Sequence, residues 1–368
     1  MRIRTVLVRL ALVAAVAAVV LCSGIAARIG GLRTTSNGAV DTGGALPATR
    51  LTALPSRTIN DGIADLRVRL SGRPASFSPL PHLSPSVAGH WVIHGDSEIF
   101  RPTTTLEPCS TYRLGISAAT STLSHSPIGV HRDIYLHVAC PSVKGLQLAL
   151  ARLDYLPYRA STASLPSDPG ASRARLTAMA AFHPPSEHMH ARYSDAPELN
   201  YGELDETTRG GLMVFQSEHE LEATGEADEA TWRALFGAVE HDQRKHTPYT
   251  WVTVSETIPE TLEVHQGSHV ALSTPANTGV AGAETAQGTF PIFSRFTSTT
   301  MTGTNPDGSK YSDPGVPWVN YFNGGDAVHG FPRGSYGTPQ SNGCVELPIE
   351  TAHTVYGMLA IGDIVVVS

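Results

Sequence analysis

The sequence predicts a multidomain, mainly β protein. Its parts are an N-terminal export or anchor helix, an immunoglobulin-like β-sandwich, a small three-helix module and a β-rich C-terminal domain. Three observations predict it. The chain of 368 residues is 41% hydrophobic and only 16% charged, with Gly 34 and Pro 26, a composition of short strands and many turns. Its apolar segments are brief and alternate with polar residues on both sides of a central helical stretch. A single long apolar run stands at the start.

The balance of charge and hydropathy also excludes partners. A formal net charge of -7 argues against nucleic acid as the main ligand. A mean hydropathy of -0.07 with only one long apolar run excludes a polytopic membrane protein.

That run follows Arg2, Arg4 and Arg9 and spans residues 10–27 without a charge. A positive flank ahead of an apolar stretch marks a secretory signal or a signal anchor, assigned to residues 1–27. Ser23, Gly24, Ala26 and Ala27 leave room for cleavage. An uncleaved segment would serve as a single-span membrane anchor. Leu21 precedes Cys22 where a lipid-attachment site would carry a small residue. The expected location is the cell wall, the extracellular space or the outer face of the membrane.

Export changes how the other cysteines read, because an oxidising compartment favours bridges. Cys109 and Cys140 share one strand-rich region and form the natural pair. Such a bridge is worth about 3 to 4 kcal/mol through loop closure. Cys344 is left unpaired, just after Gly343.

Residues 28–60, rich in Thr, Ser, Gly and Ala without an apolar period, read as a flexible linker. From 61 to 141 the pattern is β. Leu66, Val68 and Leu70 alternate with Arg67 and Arg69, and runs at 91–93, 112–116 and 134–138 follow at sandwich-like intervals. An immunoglobulin-like spacer stapled by Cys109 and Cys140 is the expected product.

Residues 144–238 switch to a helical period. Leu146, Leu150 and Leu153 lead to Tyr155-Leu156-Pro157, and the pattern resumes with Thr208 to Phe215-Gln216 and Thr231-Trp232-Arg233-Ala234-Leu235. These marks resemble the peptidoglycan-binding domain family, a three-helix module, with an insert at 159–201 where the family has a short loop. His183, His188 and His190 in the insert have no recognisable co-ligands and read as loop histidines, so no metal and no cofactor is expected.

From 248 to 368 the chain is β again: Val252 and Val254 alternate with polar neighbours, Leu262 and Val264 follow, and 361–367 closes the chain as a strand. Here a histidine, His329, precedes Cys344 by fifteen positions across a Gly- and Pro-rich connection. Cysteine is nucleophilic as thiolate, and a neighbouring imidazole can take its proton. Gly343 frees the backbone to aim amides at one point, as an oxyanion hole requires.

This stretch resembles the L,D-transpeptidase catalytic domain family of cell-wall enzymes. The family's His-Gly and Ser-x-Gly-Cys marks stand here as His329-Gly330 and Ser341-Asn342-Gly343-Cys344-Val345. Residues 273–279 and 285–290 resemble its S-T-G and T-P-x-G-x-F turns, with Ala286 for Pro. The segment with Trp318, Tyr321 and Phe322 resembles the one lining its acyl cleft. Asn342 replaces a common histidine, and Glu346 stands where arginine is common, which reverses a charge.

The resemblance implies a two-step acyl transfer from a peptidoglycan stem tetrapeptide to an amine, releasing D-alanine. Cys344 would be the nucleophile and His329 its base, oriented by the Gly330 carbonyl. The backbone around Ser341, Asn342 and Gly343 would bind the oxyanion. Carbapenem-type β-lactams would acylate the same sulfur. Water as acceptor would make the site a carboxypeptidase. Two further readings are a non-catalytic wall-binding protein, for which Glu346 speaks, and a zinc peptidase built on the His183 to His190 cluster.

Overall fold

The computed structural model describes residues 51–54, 58–59, 66–70, 82–94, 97–103, 106–107, 109–115, 134–160 and 189–368, all within the unit Pro47–Ser368. The export segment, most of the linker, His183 and His188 lie outside the described residues. What is described is mainly β with few helices. No helix among the described residues is long and apolar enough to cross a membrane.

The β structure starts earlier than composition suggested. Strands β1 (Leu51–Leu54) and β2 (Thr58–Ile59) fall inside 28–60. Their partners are distant in sequence, Leu51 pairing with Leu70 and Thr58 with His137, so no local period announces them. With β3 (Leu66–Leu70), β4 (His82–Ser84), β5 (Gly89–His94), β6 (Ser97–Pro102), β7 (Thr111–Gly115) and β8 (Ile134–Val138) they form two four-stranded sheets, ordered β1-β3-β6-β5 and β2-β8-β7-β4. Phe100 from the first sheet and Leu83, Tyr112, Leu114, Leu136 and Val138 from the second share one core. Cys109 and Cys140 are disulfide-bonded beside β7 and β8.

The helical module follows as α1 (Val143–Arg152), α2 (Glu206–Glu218) and α3 (Glu229–Glu240). Each starts at a side-chain cap: Ser142 on Gly145 N, Asp205 on Thr208 N and Asp228 on Thr231 N. Such caps contribute about 1 kcal/mol each. Leu150, Leu153, Leu156, Leu212, Phe215 and Leu235 are fully buried together with Trp232 at 3% exposure. Each of these leucines gains about 1.5 to 3 kcal/mol from leaving water. The buried Gln216 explains the Phe-Gln and Thr-Trp marks. Its Nε2 donates to Glu226 O (2.8 Å) and Thr231 Oγ1 (3.0 Å), and its Oε1 accepts from Gly225 N (2.9 Å), stapling the turn between α2 and α3. Gln147 ties α1 to the same body through Asn200 O, Glu203 O and Thr208 Oγ1. The ends of the 159–201 insert pair as β9 (Tyr158–Ala160) and β10 (Met189–Ala191), with His190 exposed.

The C-terminal domain has two sheets. One is ordered β13-β12-β11-β19-β14, from β11 (Thr250–Ser255), β12 (Thr261–Gln266), β13 (His269–Pro275), β14 (Gly288–Pro291) and β19 (Ile364–Val367). The other is β15-β16-β17-β18, from β15 (Ser294–Thr304), β16 (Lys310–Asn323), β17 (Asp326–Gly330) and β18 (Val345–Leu347). Val252, Val254, Leu262, Phe322, Val328, Val345 and Val365 fill the core with Ala352 and Val355 of helix α4 (Ile349–Met358).

Candidate active site

Strands β17 and β18 run parallel, with Val328 opposite Val345 and His329 opposite Glu346. Successive strand residues point to opposite faces, so His329, Glu346 and the Cys344 that precedes β18 come to one face. The connection between the strands is pinned by the buried Asn277. Its Oδ1 accepts from Gly337 N (3.0 Å), and its Nδ2 donates to Ser335 O (3.2 Å).

Cys344 and His329 line one cleft with Met301, Tyr311, Asp313, Val316, Phe331, Arg333, Asn342 and Glu346. Both groups are buried, the imidazole at 2% exposure. His329 Nδ1 lies 3.0 Å from Gly330 O. A carbonyl only accepts, so Nδ1 carries the hydrogen and Nε2 keeps its lone pair. Burial holds the imidazole below its ordinary pKa, against smaller opposing effects of the Gly330 bond and Glu346. Burial pushes the Cys344 thiol up to about 12, and Asp326 and Glu346 push the same way, while the Ala327 amide lowers it. The resting pair is therefore an uncharged thiol beside an uncharged imidazole. The thiol donates to Gly325 O at 3.6 Å, and among the described residues no hydrogen bond joins it to the ring.

The turn before the cysteine is shaped by one glycine. Gly343 has φ +107, and a Cβ there would sit 2.5 Å from Asp326 Oδ1. Ser341 Oγ donates to Cys344 O and accepts from Gly343 N at 3.2 Å. The Gly343 amide is thus directed inward to Ser341. Asn342 also uses its side chain, donating from Nδ2 to Asn305 Oδ1 (2.7 Å) at the tip of the β15–β16 hairpin.

None of the three aromatic residues assigned to the cleft lines it. Trp318 and Phe322 pack into the core beneath α4, where Trp318 stacks on His353 at 4.1 Å. Tyr321, with Val319, packs beside Cys344. The alternation of β16 forces this split, since 318 and 322 share one face and 319 and 321 the other. The cleft wall is instead the hairpin, through Met301, Tyr311, Asp313 and Val316. A Gly-containing turn at 305–309 between two long runs was the available signal. Arg333, also missed, meets Glu346 with Nε–Oε2 and Nη2–Oε1 both at 2.7 Å and adds Gln340 O at 2.9 Å.

A thiol and an imidazole converging in one cleft define a site for cysteine acyl transfer. Residues 249–367 match the model of the L,D-transpeptidase catalytic domain, and the C-terminal domain belongs to that family. The protein thus carries an enzyme domain of the L,D-transpeptidase type. Residues 190–235 match the model described as "Putative peptidoglycan binding domain". That match begins after α1, although α1 shares the module's core.

Among solved structures, the catalytic domain of an L,D-transpeptidase from E. faecium is 25% identical, over 34% of this chain and 100% of that one, with a TM-score of 0.31. An L,D-transpeptidase from Mycobacterium smegmatis is 13% identical over 87% and 97% of the two chains, TM-score 0.30. L,D-transpeptidase 3 from Mycobacterium tuberculosis, in complex with a faropenem-derived adduct, is 14% identical over 86% and 97%, TM-score 0.30. No curated protein matches the chain.

Proposed function

We propose that Cys344 is the nucleophile of an exported peptidoglycan cross-linking enzyme, with His329 as its base. The observation that carries the reading is the placement of both side chains on one cleft within the matched domain. The neutral Nε2 of His329 takes the thiol proton as sulfur attacks the carbonyl of the third stem residue, then returns it to the departing D-alanine. The Nδ1–Gly330 bond fixes the tautomer this requires, the role a carboxylate plays in other triads. The Asn342 and Cys344 amides stabilise the oxyanion, and losing one such donor typically costs about a hundredfold or more in rate. An acceptor amine then resolves the thioester. Carbapenem-type β-lactams, as acyl donors, load the same sulfur.

The upstream parts serve reach. The two sheets sharing one core, with most of their strands in 61–141, support an immunoglobulin-like spacer, and the helical module at 144–238 would hold the enzyme on the wall. The apolar segment at 1–27 would export the chain and, uncleaved, anchor it.

Mass spectrometry of a stem tetrapeptide incubated with wild-type and Cys344→Ala protein tests the reading. A thioester adduct and D-alanine release in the wild type alone are expected. Equal D-alanine release by both proteins would refute it, and a hydrolysed tripeptide as sole product would make the enzyme a carboxypeptidase.

A further inference from the structure

A second cavity shares no lining residue with the catalytic cleft. It encloses about 180 Å³, against the 10 to 15 Å³ or so that one water needs, so it has room for a ring-sized ligand. Tyr193 and Asp195 on its wall follow β10, Trp251 and His265 belong to β11 and β12, and Ser268 and His269 lie where β12 turns into β13. Trp251 is 1% exposed and stacks with both Tyr193 (5.6 Å) and His265 (4.7 Å), so what it offers a ligand is its indole N–H. That N–H is buried and has no hydrogen-bond partner among the described residues. A buried donor without an acceptor carries a cost that a ligand oxygen would remove. Charge narrows the ligand further. Arg192 on the same wall is committed to Asp154, to Tyr158 O (3.0 Å) and to Ala151 O (3.1 Å). Burial holds His265 below its ordinary pKa, and its Nε2 meets Thr253 Oγ1 at 2.9 Å. An anionic ligand would meet the Asp195 carboxylate while the guanidinium is spent elsewhere, so the cavity suits an uncharged one.

We propose that this cavity binds an N-acetylated amino sugar, with its acetamido oxygen on Trp251 Nε1 and its hydroxyls on Asp195 and Ser268. A pyranose ring carries hydroxyls around its rim and C–H groups on its faces. The half-buried Tyr193 ring suits a face, and the exposed Asp195 and Ser268 suit the rim. The acetamide supplies the one acceptor that the buried indole lacks. Tyr193 and Asp195 fall within the 190–235 match, and Trp251 and His265 within the 249–367 match. A sugar seated here therefore touches both domains and holds them in one arrangement on a glycan. The site does not depend on acyl transfer, because no part of it involves Cys344 or His329.

Calorimetric titration of the full-length protein with three soluble trisaccharides tests this: the trimer of N-acetylglucosamine, the trimer of glucosamine and the trimer of glucose. None carries a peptide, so none reacts at Cys344. The acetylated trimer is expected to bind with a Kd below about 1 mM, and the other two at least about tenfold more weakly. Trp251→Phe keeps a ring and removes the N–H, and should raise the Kd for the acetylated trimer about tenfold while leaving the glucose trimer as weak as before. Asp195→Ala, at an exposed position, keeps the test decisive should Trp251→Phe fail to fold, and should raise the same Kd about fivefold. Thermal unfolding of both variants separates a lost contact from a lost fold. No binding of the acetylated trimer, equal binding of all three sugars, or an unchanged Kd in Asp195→Ala would each overturn the inference. None of these results bears on whether Cys344 is acylated, so the two readings fail separately.

Discussion

Arg333 grips Glu346 through two hydrogen bonds of 2.7 Å, joining the loop that follows His329 to the strand that follows Cys344. The guanidinium also lies over the Phe331 ring, whose edge meets His329. This contact answers what the sequence left doubtful about Glu346. The carboxylate is compensated by a cation thirteen residues upstream, so the cleft keeps its charge balance and the site need not have decayed.

The pair is unequal, because Glu346 is almost wholly buried and Arg333 is partly in water. Removing the cation strands a buried charge, and removing the anion frees a guanidinium that water can reach. Arg333→Ala is expected to cost about 3 kcal/mol, and Glu346→Gln about 1 to 2. The double variant Arg333→Met/Glu346→Leu should recover most of the loss. Thermal unfolding of the three proteins checks the order, and equal losses in the two single variants would contradict it.

The acylation rate should show an unusual dependence on pH. Burial lowers the pKa of His329 and raises that of Cys344 to about 12. Below the imidazole pKa the ring is protonated and cannot accept the thiol proton, so the rate falls only in acid, at a pH that burial places under the ordinary imidazole value. Above it, the reacting species are neutral thiol and neutral imidazole, and the rate should be flat from about pH 7 to 9. Stopped-flow acylation by a carbapenem measures this. A tenfold rise per pH unit across that range would mean that free thiolate reacts without the histidine.

What could be read from the sequence follows the range of each interaction. The Phe-Gln and Thr-Trp marks were readable because Gln216 reaches only ten to fifteen residues, to Glu226 and Thr231. His329 and Cys344 stood out because the short connection between β17 and β18 returns on itself. The cleft wall was hidden, since Met301, Tyr311 and Asp313 come from a hairpin that reaches the site only after the sheet has formed. Aromatic identity alone does not place Trp318, Tyr321 and Phe322, because alternation turns Tyr321 toward the cluster around Cys344 and the other two toward the core beneath α4, and none of the three lines the cleft. The strand at Leu51–Leu54 was hidden for a related reason, because its hydrogen bonds go to a partner strand and leave no trace in composition.

The helical module meets the catalytic domain where two glycine backbones touch. A Cβ on Gly210 of α2 would lie 2.4 Å from Gly362 O, and one on Gly362 would lie 2.4 Å from Gly210 O and 2.6 Å from Val214 N. These partners are backbone atoms and cannot swing aside, so any side chain there must push helix and turn apart. Gly210→Ala keeps ordinary helical geometry and tests the contact alone, whereas Gly362 also has φ +92 and would add backbone strain. Overpacking of this kind costs about 1 to 3 kcal/mol. Gly210→Ala is therefore expected to unfold at lower temperature and to be cut faster by protease in the 241–249 connection. Cys344 should still be acylated, because none of the cleft residues belongs to α2. An unchanged melting temperature and an unchanged cleavage rate would show that the two domains do not depend on this contact.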